Sequence, residues 1–82
     1  EDKFNFYPNP ATDVIHISLD DAKGPYLIRI YGIKGELVNQ KTTKQLKGRQ
    51  QISFDIHDLS KGQYIMVVSG VNSRISHRFT KQ

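Results

Sequence analysis

The chain has 82 residues with no cysteine, 12 Lys and Arg against 8 Asp and Glu, and a formal charge of +4 at neutral pH. That length fits one domain over residues 1–82, and such a domain buries only about 60% of its unfolded surface, so nearly every large apolar side chain is needed for the core. Without cysteine there is neither a disulfide framework nor a thiolate zinc site, and the longest apolar run, Tyr64 to Val68, is far below the roughly 20 residues of a membrane-spanning helix, so no direct membrane insertion is expected.

Apolar residues recur with period two along the chain, and no window carries a sustained helical stripe, which predicts an all-β fold. Phe4, Phe6 and Tyr7 form a short aromatic strand, closed by Pro8-Asn9-Pro10 because proline cannot donate to a ladder. Ile15, Ile17 and Leu19 mark the next strand, with Asp20-Asp21 read as a hairpin connection. Tyr26, Ile28 and Ile30 follow the breaker Lys23-Gly24-Pro25. After the turn Gly32 to Gly35, Glu36 to Thr43 reads as a polar edge strand with Leu37 and Val38 as its core contacts. The breakers Lys47-Gly48, Lys61-Gly62 and Gly70 to Asn72 delimit two further triplets, Ile52, Phe54, Ile56 and Tyr64, Met66, Val68. A last triplet, Ile75, His77 and Phe79, completes about seven strands, the spacing of an antiparallel sandwich.

One local pattern points to an immunoglobulin-like antiparallel β-sandwich. In Ser60-Lys61-Gly62-Gln63-Tyr64-Ile65-Met66, Gly62 permits a tight turn and Tyr64 occupies the place of a tyrosine corner, its hydroxyl bonded back to nearby backbone. Met66 is then expected to pack on Phe54 and Ile30, where antibody domains have their disulfide and Trp.

The residues offer little chemistry. His57, Asp58 and Ser60 are neighbours in a turn, and there a capping role for Asp58 or Ser60 is expected over a catalytic one. His16 faces outward with Asp13 as its nearest carboxylate, and His77 lies on the apolar face, where a hydrogen bond to a carbonyl is expected rather than a metal. Asp20-Asp21 lacks the spaced acidic run of a calcium site, and Gly32 to Gly35 lacks the spacing of a phosphate loop. No catalytic residue, metal ligand or cofactor is therefore expected. Residues 1–41 carry five basic and six acidic groups (net −1) and residues 42–82 seven and two (net +5). Only Arg29 with Tyr31 pairs a cation and an exposed ring, so nucleic acid is not expected as a partner.

Three signatures occur in order: Phe6-Tyr7-Pro8-Asn9-Pro10-Ala11-Thr12-Asp13, then Ile30-Tyr31-Gly32-Ile33-Lys34-Gly35-Glu36-Leu37-Val38, then Leu59-Ser60-Lys61-Gly62-Gln63-Tyr64, with the basic finish Arg78-Phe79-Thr80-Lys81-Gln82. From Phe6 to Gln82 this resembles the C-terminal sorting domain of proteins exported by the type IX secretion system of Bacteroidota. Gly32 departs from the family, which usually has Asp or another polar residue there.

The resemblance implies an immunoglobulin-like sandwich that is a signal and not an enzyme. Its attached cargo would cross the outer membrane to the cell surface or beyond, and a surface sortase would commonly remove the domain while joining the cargo to lipopolysaccharide. The implied partners are the translocon, the sortase and an upstream cargo domain. The chain opens on Glu1 without a basic and then apolar leader, so a signal peptide is expected upstream. Arg74, Ser76, Arg78 and Thr80 are expected on the outward face of the last strand, with Lys81 and Gln82 at its end. Arg74, Arg78, Phe79, Lys81 and Gln82 are thus candidate recognition residues for an acidic receptor surface. Pro8, Asn9, Pro10, Gly35, Gly62 and Tyr64 are motif residues serving fold or recognition. The alternative is an immunoglobulin- or fibronectin-like accessory module binding carbohydrate or protein, with Tyr31 and Tyr7 as its aromatic platform.

Overall fold

A computed structural model describes residues 4–82. Seven strands form: β1 Phe4–Tyr7, β2 Val14–Lys23, β3 Leu27–Gly32, β4 Leu37–Thr42, β5 Lys47–Asp55, β6 Gly62–Ser69 and β7 Arg74–Lys81. They build two antiparallel sheets, ordered β1-β2-β5 and β4-β3-β6-β7. The chain passes between sheets after β2, β4 and β5, as in a Greek-key sandwich.

Alternation explains the packing. Ile15, Ile17, Leu19, Ile52 and Phe54 from one sheet, with Ile56 just after β5, meet Ile28, Ile30, Met66, Val68 and Phe79 from the other in a single buried cluster. Burying each such side chain contributes about 1.5–3 kcal/mol, which is what holds so small a domain together. Met66 lies opposite Ile30 in the β3–β6 ladder and shares this cluster with Phe54, as expected.

Tyr26 plugs one end of the sandwich. Its hydroxyl accepts from the Lys23 N–H at 2.7 Å, and the Phe4 ring meets it edge-on at 6.1 Å. A Cβ on Gly24 or Gly70 would stand 2.5 or 2.7 Å from the Tyr26 ring, so the two glycines allow the ring to seat.

Three expectations are corrected. Asp20-Asp21 is no connection: β2 continues through Lys23, and the two residues form a bulge, where the register with β5 shifts between Leu19 and Ala22. Lys47-Gly48 likewise lies inside β5, opposite Lys23 and Ala22. Leu37 and Val38 are 48% and 38% exposed, because β4 is an edge strand with every residue open to solvent. The inter-sheet contact on that side is made by Lys41 instead, whose Nζ donates to the Ser53 carbonyl at 3.0 Å and lies over the Phe54 ring.

Candidate recognition surface

The polar clusters resolve into local structure. Asp55 accepts from the His57 backbone N–H at 3.0 Å and contacts its Nδ1 at 2.7 Å, while Asp58 approaches Nε2 at 3.0 Å. The capping carboxylate of this turn is therefore Asp55, not Asp58 or Ser60. The hydrogen bond and charge of Asp55 raise the exposed His57 imidazole above its usual 6.5, and the same bonds lower Asp55. His16 contacts the Ser53 hydroxyl through Nδ1 at 2.9 Å rather than Asp13. Among the described residues no cluster of three His, Cys, Asp or Glu could hold a metal.

His77 points inward as expected, but its Nε2 is buried with no hydrogen-bond partner, so the expected carbonyl contact is not made. Its ring stacks on Phe6 instead, with centroids 4.4 Å apart and planes 4° from parallel. Burial holds its pKa below 6.5.

The motif residues sit at the corners that carry the strands. Tyr64 is a tyrosine corner: its hydroxyl donates to the Ser60 carbonyl at 2.6 Å, and its ring stacks on Phe79 at 5.7 Å. Gly62, at the start of β6, has φ +149°, a conformation that a side chain rarely adopts. Gly35 has φ +88° and closes the β3–β4 turn by donating to the Gly32 carbonyl at 3.0 Å. At Gly32 the atoms nearest to an added Cβ belong to the flexible Glu36 carboxylate, within the same turn.

The Pro8-Asn9-Pro10 corner brings the first signature onto the last strand. After leaving β1, the chain turns to the opposite sheet, and the Asn9 side chain docks on the free edge of β7. Asn9 Oδ1 accepts from the Thr80 N–H at 3.1 Å, and Nδ2 donates to the Arg78 carbonyl at 3.4 Å. Its amide thus stands in for one residue of a neighbouring strand. Ala11, fully buried, continues this pairing as a parallel bridge with Lys81: its N–H donates to the Thr80 carbonyl, and its carbonyl accepts from the Gln82 N–H, both at 2.8 Å. These partners are about 70 positions apart, so no local pattern revealed them.

The five candidate recognition residues divide between two environments. Arg74 and Arg78 are exposed on the outer face, and Gln82 is exposed at the end. Phe79 is fully buried, and Lys81 is 8% exposed with its Nζ donating to the Gln82 carbonyl at 3.2 Å. Lys81 shares the inward parity of Phe79, a signal already present in the alternation. The side chains of Arg74, Arg78 and Gln82 are thus open to contact, whereas that of Phe79 is enclosed in the core. Tyr31 lies on the outer face of β3, half-buried, while Tyr7 lies on the outer face of the other sheet with its hydroxyl donating to Gln51. The two rings therefore form no common platform.

A search of curated proteins gives no match. The family model described as the secretion system C-terminal sorting domain matches residues 5–82, almost the whole chain. All three signatures and the basic finish fall within that match; the chain belongs to the family of secretion system C-terminal sorting domains, the type IX family its motifs resemble.

Proposed function

We propose that residues 1–82 form a single domain that directs an attached cargo protein through the outer membrane by the type IX secretion system to the cell surface or beyond. There a sortase removes the domain as the cargo is joined to lipopolysaccharide. Its partners are the translocon, the sortase and an upstream cargo domain. The observation that carries this reading is the family match over residues 5–82. The placement of Asn9 and Ala11 against β7 supports it, since signatures from both ends of the chain meet in one place. Arg74, Arg78 and Gln82 are the residues offered for contact with the machinery; Phe79, Lys81, Gly62 and Tyr64 hold the strand that presents them, and Gly35 shapes the β3–β4 turn. The opposed positions of Tyr31 and Tyr7 disfavour an accessory carbohydrate module.

The test is a fusion of residues 1–82 behind a signal peptide and a fluorescent reporter in a strain with a working type IX system. Reporter at the cell surface or in the medium is expected. Reporter held in the periplasm sinks the proposal. Loss of the domain from the surface-bound reporter, dependent on the sortase, is expected for the processing step.

A further inference from the structure

The edge of β7 is covered over only part of its length. In the β6–β7 ladder, residues 75, 77, 79 and 81 face β6, and the edge-directed residues are 74, 76, 78 and 80. The Asn9 amide and Ala11 occupy both backbone groups of Thr80 and the carbonyl of Arg78. No described residue bonds the Arg78 N–H, or either backbone group of Ser76 or Arg74. An open edge of this kind is a template for another strand.

We propose that the stretch Arg74 to Arg78 receives an extended acidic segment of a partner protein, added antiparallel as a further strand of the β4-β3-β6-β7 sheet. Charge complementarity selects this occupant. A residue opposite Arg78 and another opposite Arg74 place their side chains on the outer face beside two exposed guanidinium groups, and β7 carries no carboxylate. Acidic residues four apart satisfy both. Residues opposite His77 and Ile75 point the other way, toward the interior side of the edge, where an open cleft of about 480 Å³ has mixed walls, apolar at Phe4, Val71 and Ile75 and polar at Lys23, Asn72, Ser73 and Arg74. A small apolar side chain such as Val at those intervening positions meets the Phe4, Val71 and Ile75 part of that wall. A second copy of this chain is a poor occupant, because an antiparallel pair centred on Ser76 would set Arg74 directly opposite Arg78 of the other copy. Strand addition of this type draws affinity from main-chain bonds and specificity from alternate side chains. The inference deepens the sorting reading by naming the chemistry of the partner.

The test titrates the 15N-labelled 82-residue chain with the capped peptide acetyl-Glu-Val-Thr-Val-Glu-amide, and with its counterpart carrying Lys for Glu. Binding of the acidic peptide is expected to shift the amides of Arg74, Ser76 and Arg78 and slow their exchange about tenfold, with Thr80, already bonded to Asn9, little changed. Ser76→Pro should abolish binding while sparing the fold, because the Ser76 N–H faces away from β6. The double variant R74E/R78E, altered only at exposed positions, should lose the acidic peptide and gain the lysine peptide, each by about tenfold. Absence of shifts at millimolar peptide, binding that survives Ser76→Pro in a folded protein, equal binding of both peptides, or a dimer in sedimentation each overturns the proposal. None of these results bears on export of the reporter fusion, so the two readings fail separately.

Discussion

Replacing Asn9 by Ala removes the contact that joins the first signature to the last strand and leaves the corner prolines in place. Two hydrogen bonds are lost, at 3.1 Å from the Thr80 N–H and at 3.4 Å to the Arg78 carbonyl. A neutral hydrogen bond contributes about 0.5–1.5 kcal/mol net. Both bonds are exposed, so water takes over the freed groups, and the longer one stands at the weak end; the expected loss is about 1 kcal/mol. In a domain of this size, that lowers Tm by about 4–8 °C. The assay pairs thermal unfolding with amide exchange, because loss of the clamp should accelerate exchange at Thr80 while Phe79, whose N–H faces β6, stays protected. Asn9→Asp should recover part of the loss, since a carboxylate still accepts from Thr80 but cannot donate to Arg78. An Asn9→Ala protein with unchanged Tm and unchanged exchange at Thr80 would refute the clamp and return the segment to the role of a rigid corner.

Tyr64→Phe removes the 2.6 Å bond to the Ser60 carbonyl while keeping the ring on Phe79, and should cost about 0.5–1.5 kcal/mol in urea unfolding with an unchanged m-value. Phe79→Ala empties a fully buried site and should cost about 3–5 kcal/mol. Domains commonly have only about 5–15 kcal/mol in total, so circular dichroism should show Phe79→Ala partly unfolded at 37 °C, and Phe79→Leu folded. His77, with its pKa held below 6.5 by burial, binds fewer protons folded than unfolded, so its effect on stability falls as pH drops from 6.5 toward the folded pKa. His57, with its pKa raised, acts in the opposite sense: its contribution is present below 6.5 and lost as pH rises through its folded value. The urea midpoint of His77→Phe, measured between pH 5 and 8 in a His57→Gln background, should lose the downward trend at low pH; a trend that persists assigns it to other groups.

Period-two alternation made most of the fold legible. Ile15, Ile17, Ile28, Ile30, Met66, Val68 and Phe79 all lie inward because one face of each strand meets the opposite sheet. Leu37 and Val38, expected as core contacts because they are the apolar residues of a polar strand, are exposed instead, since β4 forms an edge without a neighbour to cover it. Asp20-Asp21 was misread because a polar pair looks alike in a turn and in a bulge; pairing with β5 decides between them. The partner of His77 was not legible at all, since Phe6 reaches it only after two sheets have packed. Within the candidate surface, the exposure of Arg74 and Arg78 followed from parity. The Asn9 clamp did not, because it depends on where the chain ends meet.

If β7 is the strand that the machinery reads, that meeting point decides what it reports about the rest of the domain. β7 holds its position through the ladder to β6, through the Phe6 ring stacked on His77, and through Asn9 and Ala11 at its outer edge. Those supports come from the first signature and from the strand begun by the third. A chain that has not brought both together lacks an ordered Arg74 to Arg78 edge to present. Deleting Phe79 to Gln82 would therefore not isolate a recognition element from a folded remainder, because it removes a fully buried ring, the bridge to Ala11 and the Gln82 bond together. The informative variants are those that alter the exposed arginines and leave the supports standing. If R74E/R78E folds with the parent Tm and its reporter fusion stays in the periplasm, the edge is read directly; if its export is unchanged, the machinery reads another surface.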